Sequence, residues 1–274
     1  MNNLIQRSLT AVVIVAIMLT GLFVHEYTFC ILFLAIMLGM LHEFFNMTKS
    51  TIFLPNRWII SGISTILYLV SFFVAAGTIN STYLFITFPL LLVIFVHELL
   101  VNKKNPLQNI ALGLLAIIYV VAPMCLCSFI VFHNAGAIHS YYNPQLFIVL
   151  MIIIWTYDSF AYLFGMSFGK HRLFERVSPK KSWEGAIGGA ISAILVSILI
   201  SNYLEAKIIE WIIISLGVVI TSTLGDLTES LFKRQMEIKD SGSIFPGHGG
   251  LLDRFDSVLF AAPVYICLLE LLNL

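Results

Sequence analysis

Again and again along its 274 residues, this chain runs apolar for long enough to cross a lipid bilayer as a helix. Such a crossing takes about 20 residues. The candidate stretches lie near Leu9–Val24, Phe29–Met47, Ile59–Ala76, Tyr83–Val96, Ile110–Val131, Leu146–Phe168, Ala186–Tyr203, Ile208–Leu227 and Ser257–Leu272. Backbone N–H and C=O groups in hydrocarbon must be satisfied within the protein, so helices are the expected solution. The fold expected is therefore all-α: a polytopic membrane protein with about nine transmembrane helices, the fourth being the shortest. Only short polar links separate them, too short to hold a core of their own.

Composition agrees. Hydrophobic residues make up 59% of the chain and charged residues 11%, against roughly 25% charge in a soluble domain. A formal charge of zero gives no basic footprint for nucleic acid. Cys30, Cys125, Cys127 and Cys267 lie in or beside apolar runs, where a thiol acts as a small hydrophobe. Cys125 and Cys127 are too close, and too poorly accompanied, for a zinc site. Arg7 before an apolar run resembles a secretory leader, but Val24, His25 and Glu26 offer no small-residue cleavage site. That run is expected to be the first membrane helix.

The basic residues fix an orientation. With a cytoplasmic N-terminus, nine spans put Arg7, Lys49, Arg57, Lys103, Lys104, Lys170, Arg172, Arg176, Lys180, Lys181, Lys233, Arg234, Lys239 and Arg254 inside, and only Lys207 outside. That bias follows the positive-inside rule. Acids in the first 150 residues are limited to Glu26, Glu43 and Glu98. Residues 1–145 thus read as transmembrane scaffold, and residues 146–274 as a catalytic transmembrane domain with cytoplasmic active-site loops.

Three clusters in the second half carry chemistry. Asp226, Glu229, Ser230 and Lys233 share one face of a helix; they form either a self-neutralising interfacial patch or a site. Next come Lys239 and Asp240, then Pro246-Gly247-His248-Gly249-Gly250, then Asp253, Arg254 and Asp256. Glycines around His248 let backbone N–H groups face phosphate oxygens. Asp253 and Asp256, at i and i+3, suit a hard cation such as Mg²⁺, and the neighbouring bases suit phosphate. The third cluster is Ser178-Pro179-Lys180-Lys181-Ser182-Trp183-Glu184-Gly185, where Ser182 could cap the next helix and lysines could hold an anion. Asp158, midway along the sixth stretch, is an intramembrane acid and so a functional candidate. Nearby Gly165 and Gly169 suit close helix packing. The pairs His42-Glu43 and His97-Glu98 read as interfacial, and His171 as part of the basic link.

The run Ser230 to Arg234, then Lys239-Asp240, then Pro246 to Asp256 closely resembles the signature of the phosphatidate cytidylyltransferase family. SPKKSWEG and YDSFAYLFG are similar to companion motifs of that family, while the first half matches only in hydropathy. The resemblance implies a multi-pass enzyme of the cell inner membrane, with its site facing the cytoplasm. It would join CTP to phosphatidic acid, using Mg²⁺ and leaving a second cation open, and would work as a homodimer. It implies that Asp226 and Asp253 bind metal, and that Asp240 and Asp256 support metal or nucleotide. Lys233, Arg234, Lys239 and Arg254 would hold phosphates, with His248 a phosphate contact or proton donor. Ser178, Lys180, Lys181 and Ser182 would bind nucleotide or lipid phosphate, alongside Asp158, Ser230, Gly249 and Gly250. A CTP-dependent lipid kinase would want the same groups. A cation-coupled transporter using Asp158 would place more ionisable groups near the midplane.

Overall fold

The structure, a computed structural model, describes residues 13, 15–48, 55–101, 104–133, 141–203, 207–242 and 249–274. Arg7, Lys49, Lys103 and His248 lie outside the described residues, as does much of the expected first span, of which residues 15–23 are helical.

Eight helical segments among the described residues are long and apolar enough to cross a membrane. They correspond to the second through ninth stretches of the sequence. We label them α1 (Glu26–Met47), α2 (Arg57–Ala75), α3 (Thr87–Val101, led by a 3₁₀ turn over Ser81–Ile86), α4 (Pro106–Ala116) continuing through a π turn into α5 (Ala122–Val131), α6 (Gln145–Phe168), α7 (Trp183–Tyr203), α8 (Ile208–Gln235) and α9 (Leu252–Leu272). The protein is thus an all-α polytopic membrane protein. A two-stranded antiparallel hairpin, β1 (Arg172–Phe174) and β2 (Ser178–Ser182), joins α6 to α7.

Capping residues set several helix starts. His25 precedes α1: its Nδ1 accepts from Tyr27 N (3.3 Å), and its own N donates to Thr28 Oγ1 (3.1 Å). Asn56 Oδ1 accepts from Trp58 N (3.1 Å) and Ile59 N (3.3 Å), starting α2. Each satisfies N–H groups that the first helical turn leaves without an internal partner.

The described residues fall into two compact units. One holds α1–α5 and the described part of Met236–Arg254; the other holds Gln145–Gln235 and Phe255–Leu274. In the first, Phe29, Phe33, Met37, Met40 and Phe44 make a buried stripe along α1, at the spacing of one helix face. His97 and Glu98, near the end of α3, are packed into this unit. Glu98 is only 3% exposed and accepts from Asn109 Nδ2 (2.9 Å), while His97 Nε2 lies 3.1 Å from Asn56 Nδ2. The pair ties α2, α3 and α4 together.

In the second unit, α7 packs against both α6 and α8. Gly185 and Gly189 of α7 meet the α6 carbonyls of Ala161 and Tyr157 so closely that a Cβ at either position would strike backbone. Small residues four apart permit this approach, the packing device common between membrane helices. Gly165 receives Ser182 and Gly185 in the same seam. Gly225 of α8 likewise faces the Asp256 carbonyl, and Tyr265 OH of α9 donates to Leu146 O at 2.9 Å.

Candidate active site

The α6–α7 seam opens into a cavity of about 570 Å³, lined by Asp158, Arg172, Lys180, Lys181, Ser182 and Asp226 among others. Each side chain has a local reason to be there. Asp158 sits past the middle of α6 and opens on the cavity. Its neighbour Tyr157 lines the same wall and is held by Thr223 Oγ1 of α8 (2.6 Å). Asp226 enters from α8, beside Gly225.

The hairpin delivers the cations. Glu184, in the first turn of α7, accepts from Lys170 N (3.1 Å) and His171 N (3.2 Å), and lies 2.6 Å from His171 Nδ1. Trp183 N donates to His171 O at 2.9 Å. These bonds close the link onto α7 and fix where Arg172, Lys180 and Lys181 emerge. Ser182 Oγ accepts from Gly185 N (3.2 Å), so it does cap α7. His171, which reads in the sequence as one more basic residue, is a clamp for this link.

At the centre, Lys181 Nζ lies 2.5 Å from Asp226 Oδ2, with both side chains about a quarter to a third exposed. Ser230 Oγ donates to Asp226 Oδ1 at 3.2 Å. Asp158 and Asp256 both feel the Asp226 charge. Lys181 offsets it at Asp158, and Lys233 does so at Asp256. Lys233 itself bonds Glu229 Oε2 at 2.6 Å, and Glu229 is fully buried. Four carboxylates (Asp158, Asp226, Asp256 and Glu229) and two ammonium groups therefore share one electrostatic neighbourhood. An anionic ligand entering it would exchange partners with charges already in place.

The remaining expected site residues are placed as follows. Ser178 pairs with Phe174 in the hairpin. Arg234, at the end of α8, is exposed. Lys239, Asp240, Gly249, Gly250, Asp253 and Arg254 belong to the other unit. There Asp253 Oδ2 accepts from Ser241 N (2.9 Å), Ser241 Oγ (2.9 Å) and Gly250 N (2.8 Å). Gly249 has φ +80°, a conformation that favours glycine. From sequence, Arg172 is not marked as a site residue, and Glu229 appears only as one member of the Asp226–Lys233 helix face, with no role of its own. Arg172 carried no signal beyond its place in a basic link; Glu229 carried one, four residues before Lys233.

Among the described residues, no three His, Cys, Asp or Glu side chains gather to cage an ion. Mg²⁺ does not require that. It takes one or two carboxylates and completes its shell with water and phosphate oxygens. Asp158 and Asp226 offer oxygen donors to one cavity, so the residues present fit such an ion arriving with a polyphosphate.

Fold and cavity together define a class: an all-α polytopic membrane protein with an acid- and lysine-lined site suited to phosphate chemistry. Residues 5–272 match the Cytidylyltransferase family, and the chain belongs to that family. The match begins at residue 5 and so takes in the first half of the chain as well as the second. Among curated relatives, the phosphatidate cytidylyltransferase of Haemophilus influenzae is 44% identical over 131 residues, covering 46% of this chain and 46% of that protein. The enzyme of the same name from Rickettsia bellii is 45% identical over 130 residues, covering 44% of this chain and 56% of the relative. That from Staphylococcus saprophyticus is 42% identical over 120 residues, covering 43% and 46%. The chain spans about half the length of the curated relatives it matches.

Proposed function

We propose that this protein transfers the cytidylyl group of CTP to phosphatidic acid, giving CDP-diacylglycerol and pyrophosphate. The observation that carries the reading is the Lys181–Asp226 pair inside a cavity that also presents Asp158, Lys180 and Arg172. A phosphate oxygen of phosphatidate attacks the α-phosphorus of CTP. A new P–O bond forms, the bond between the α-phosphorus and its bridging oxygen breaks, and pyrophosphate departs with the electron pair. The nucleophile is already an anion, so no strong base is needed. What the protein must overcome is repulsion between two polyanions.

Cations aimed at developing charge in a partly enclosed site do that. Lys181 is positioned to leave Asp226 for a phosphate oxygen as ligand arrives, and Lys180 and Arg172 stand along the same cavity. Mg²⁺ held by Asp226 and Asp158 would neutralise triphosphate charge. Holding the two substrates in one geometry is worth up to about 11 kcal/mol of the barrier. The apolar side of the cavity, with Ala161, Tyr162 and Met166, suits a lipid arriving from within the membrane.

The reading extends to setting. The protein is a nine-span inner-membrane protein with a cytoplasmic N-terminus, a site open to the cytoplasm, and a homodimeric assembly. The bias of basic residues supports the orientation.

The test uses purified protein, phosphatidic acid, Mg²⁺ and CTP labelled either in cytosine or at the γ-phosphate. Cytosine label moving into lipid, with γ-label leaving as pyrophosphate, is the expected result. γ-Label in lipid without cytosine would identify a CTP-dependent kinase and overturn the reading.

A further inference from the structure

Glu43 lies near the C-terminal end of α1, in a span otherwise almost free of charge, and is only 2% exposed. A carboxylate is costly to bury without donors. Its partners come from the far end of the chain. Oε2 accepts from Leu252 N (2.8 Å) and lies 3.3 Å from Ser241 Oγ, 209 and 198 residues away. Ser241 and Leu252 flank the glycine-rich motif on its two sides.

The fit around the carboxylate is steric as well as polar. A Cβ on Gly242 would strike Oε1, and a Cβ on Gly250 would strike Oε2. One turn earlier on α1, Gly39 leaves the space that Leu251 fills. Ser241 Oγ also stands 2.9 Å from Asp253 Oδ2, which in turn accepts from Ser241 N and Gly250 N. Glu43 and Asp253 thus staple the start of the motif, at Ser241, to its end, at Gly250 through Leu252.

We propose that Glu43 is a positioning residue for the nucleotide: it braces the two ends of the glycine-rich motif and, through Ser241, sets the place of Asp253. This rests on the cytidylyltransferase reading above. The brace needs an acceptor, not a charge, because one oxygen meets both Leu252 N and Ser241 Oγ, and Oε1 has no hydrogen-bond partner among the described residues. Glu43→Gln keeps that acceptor; Glu43→Ala removes it. Residues that hold a ligating side chain in place typically matter by about 10- to 100-fold.

The experiment is steady-state kinetics with each substrate varied in turn. Glu43→Ala is expected to raise KM for CTP and lower kcat/KM for CTP by about 10- to 100-fold, with KM for phosphatidate within about twofold of wild type. Glu43→Gln is expected to stay within about threefold on all of them. A fall in kcat alone, with KM for CTP unchanged, is what loss of folded protein would give, and it overturns the proposal. Should Glu43→Ala not fold, Gly242→Ala decides in the same assay, because it unseats Glu43 without deleting it. Hydrogen exchange of the Leu252 amide reads the brace apart from turnover. Exchange about tenfold faster in Glu43→Ala is expected; equal exchange sinks the brace. No cytidylyl transfer by wild-type protein, with Leu252 exchange still accelerated in the variant, overturns the assigned reaction and the nucleotide role together while leaving the brace standing.

Discussion

The proposed chemistry turns on the pair Lys181 with Asp226. The sequence named both, each from its own motif, because lysines beside a helix start and acids at a span's end have a recognisable meaning. It did not join them, since nothing local links a hairpin residue to one on α8. The structure joins them at 2.5 Å. Asp226→Asn is expected to lower kcat/KM by about 100-fold or more, and Lys181→Ala by a similar factor, with membrane insertion intact. Because the two act on one phosphate-bearing ligand, the double variant should lose much less than the product of the single losses. Strict additivity, measured in the labelled-CTP assay, would separate the two residues. Glu43 was illegible for a different reason. An acid after His42 at the end of a span looks like any interfacial residue, and its partners lie about 200 residues further on.

Helices were the legible scale. Apolar length is a property of consecutive residues, so eight of the expected stretches recur as helices at nearly the expected places. Their ends moved where hydropathy is silent. α8 runs on to Gln235, past the apolar limit at Leu227, because Thr228–Gln235 continues the same helix with the Glu229–Lys233 pair at i and i+4. The hairpin was not foreseen as strand: Ser178–Ser182 is five residues with a proline, and only pairing to Arg172–Phe174 makes it one. The most extensive contact between elements among the described residues is the α6–α7 seam. Gly189→Leu places a side chain against the Tyr157 carbonyl and the Ala161 methyl. Overpacking of this kind costs about 1–3 kcal/mol. The expected result is a lower unfolding temperature in detergent, together with lost turnover as the cavity walls part. Ile187→Leu, at an exposed position on the same helix, should change neither. Equal stability of Gly189→Leu and wild type would show that the seam is not tight.

For the whole molecule, division of labour follows packing, which a linear reading cannot supply. Sequence suggested a scaffold up to residue 145 and a catalytic part after it. In the structure, the described part of Met236–Arg254 groups with α1–α5, held by α1 through Gly39 and Glu43. The glycine motif is therefore anchored by a helix that reads, in sequence, as plain membrane span. The expected orientation belongs to this scale too, because the positive-inside rule sums over every link at once. The most direct measurement of the account is turnover of externally added CTP by sealed vesicles of known sidedness, loaded with phosphatidic acid. Everted vesicles should make CDP-diacylglycerol at once, and right-side-out vesicles only after permeabilisation. Product formed by intact right-side-out vesicles, or by neither kind once opened, would contradict it.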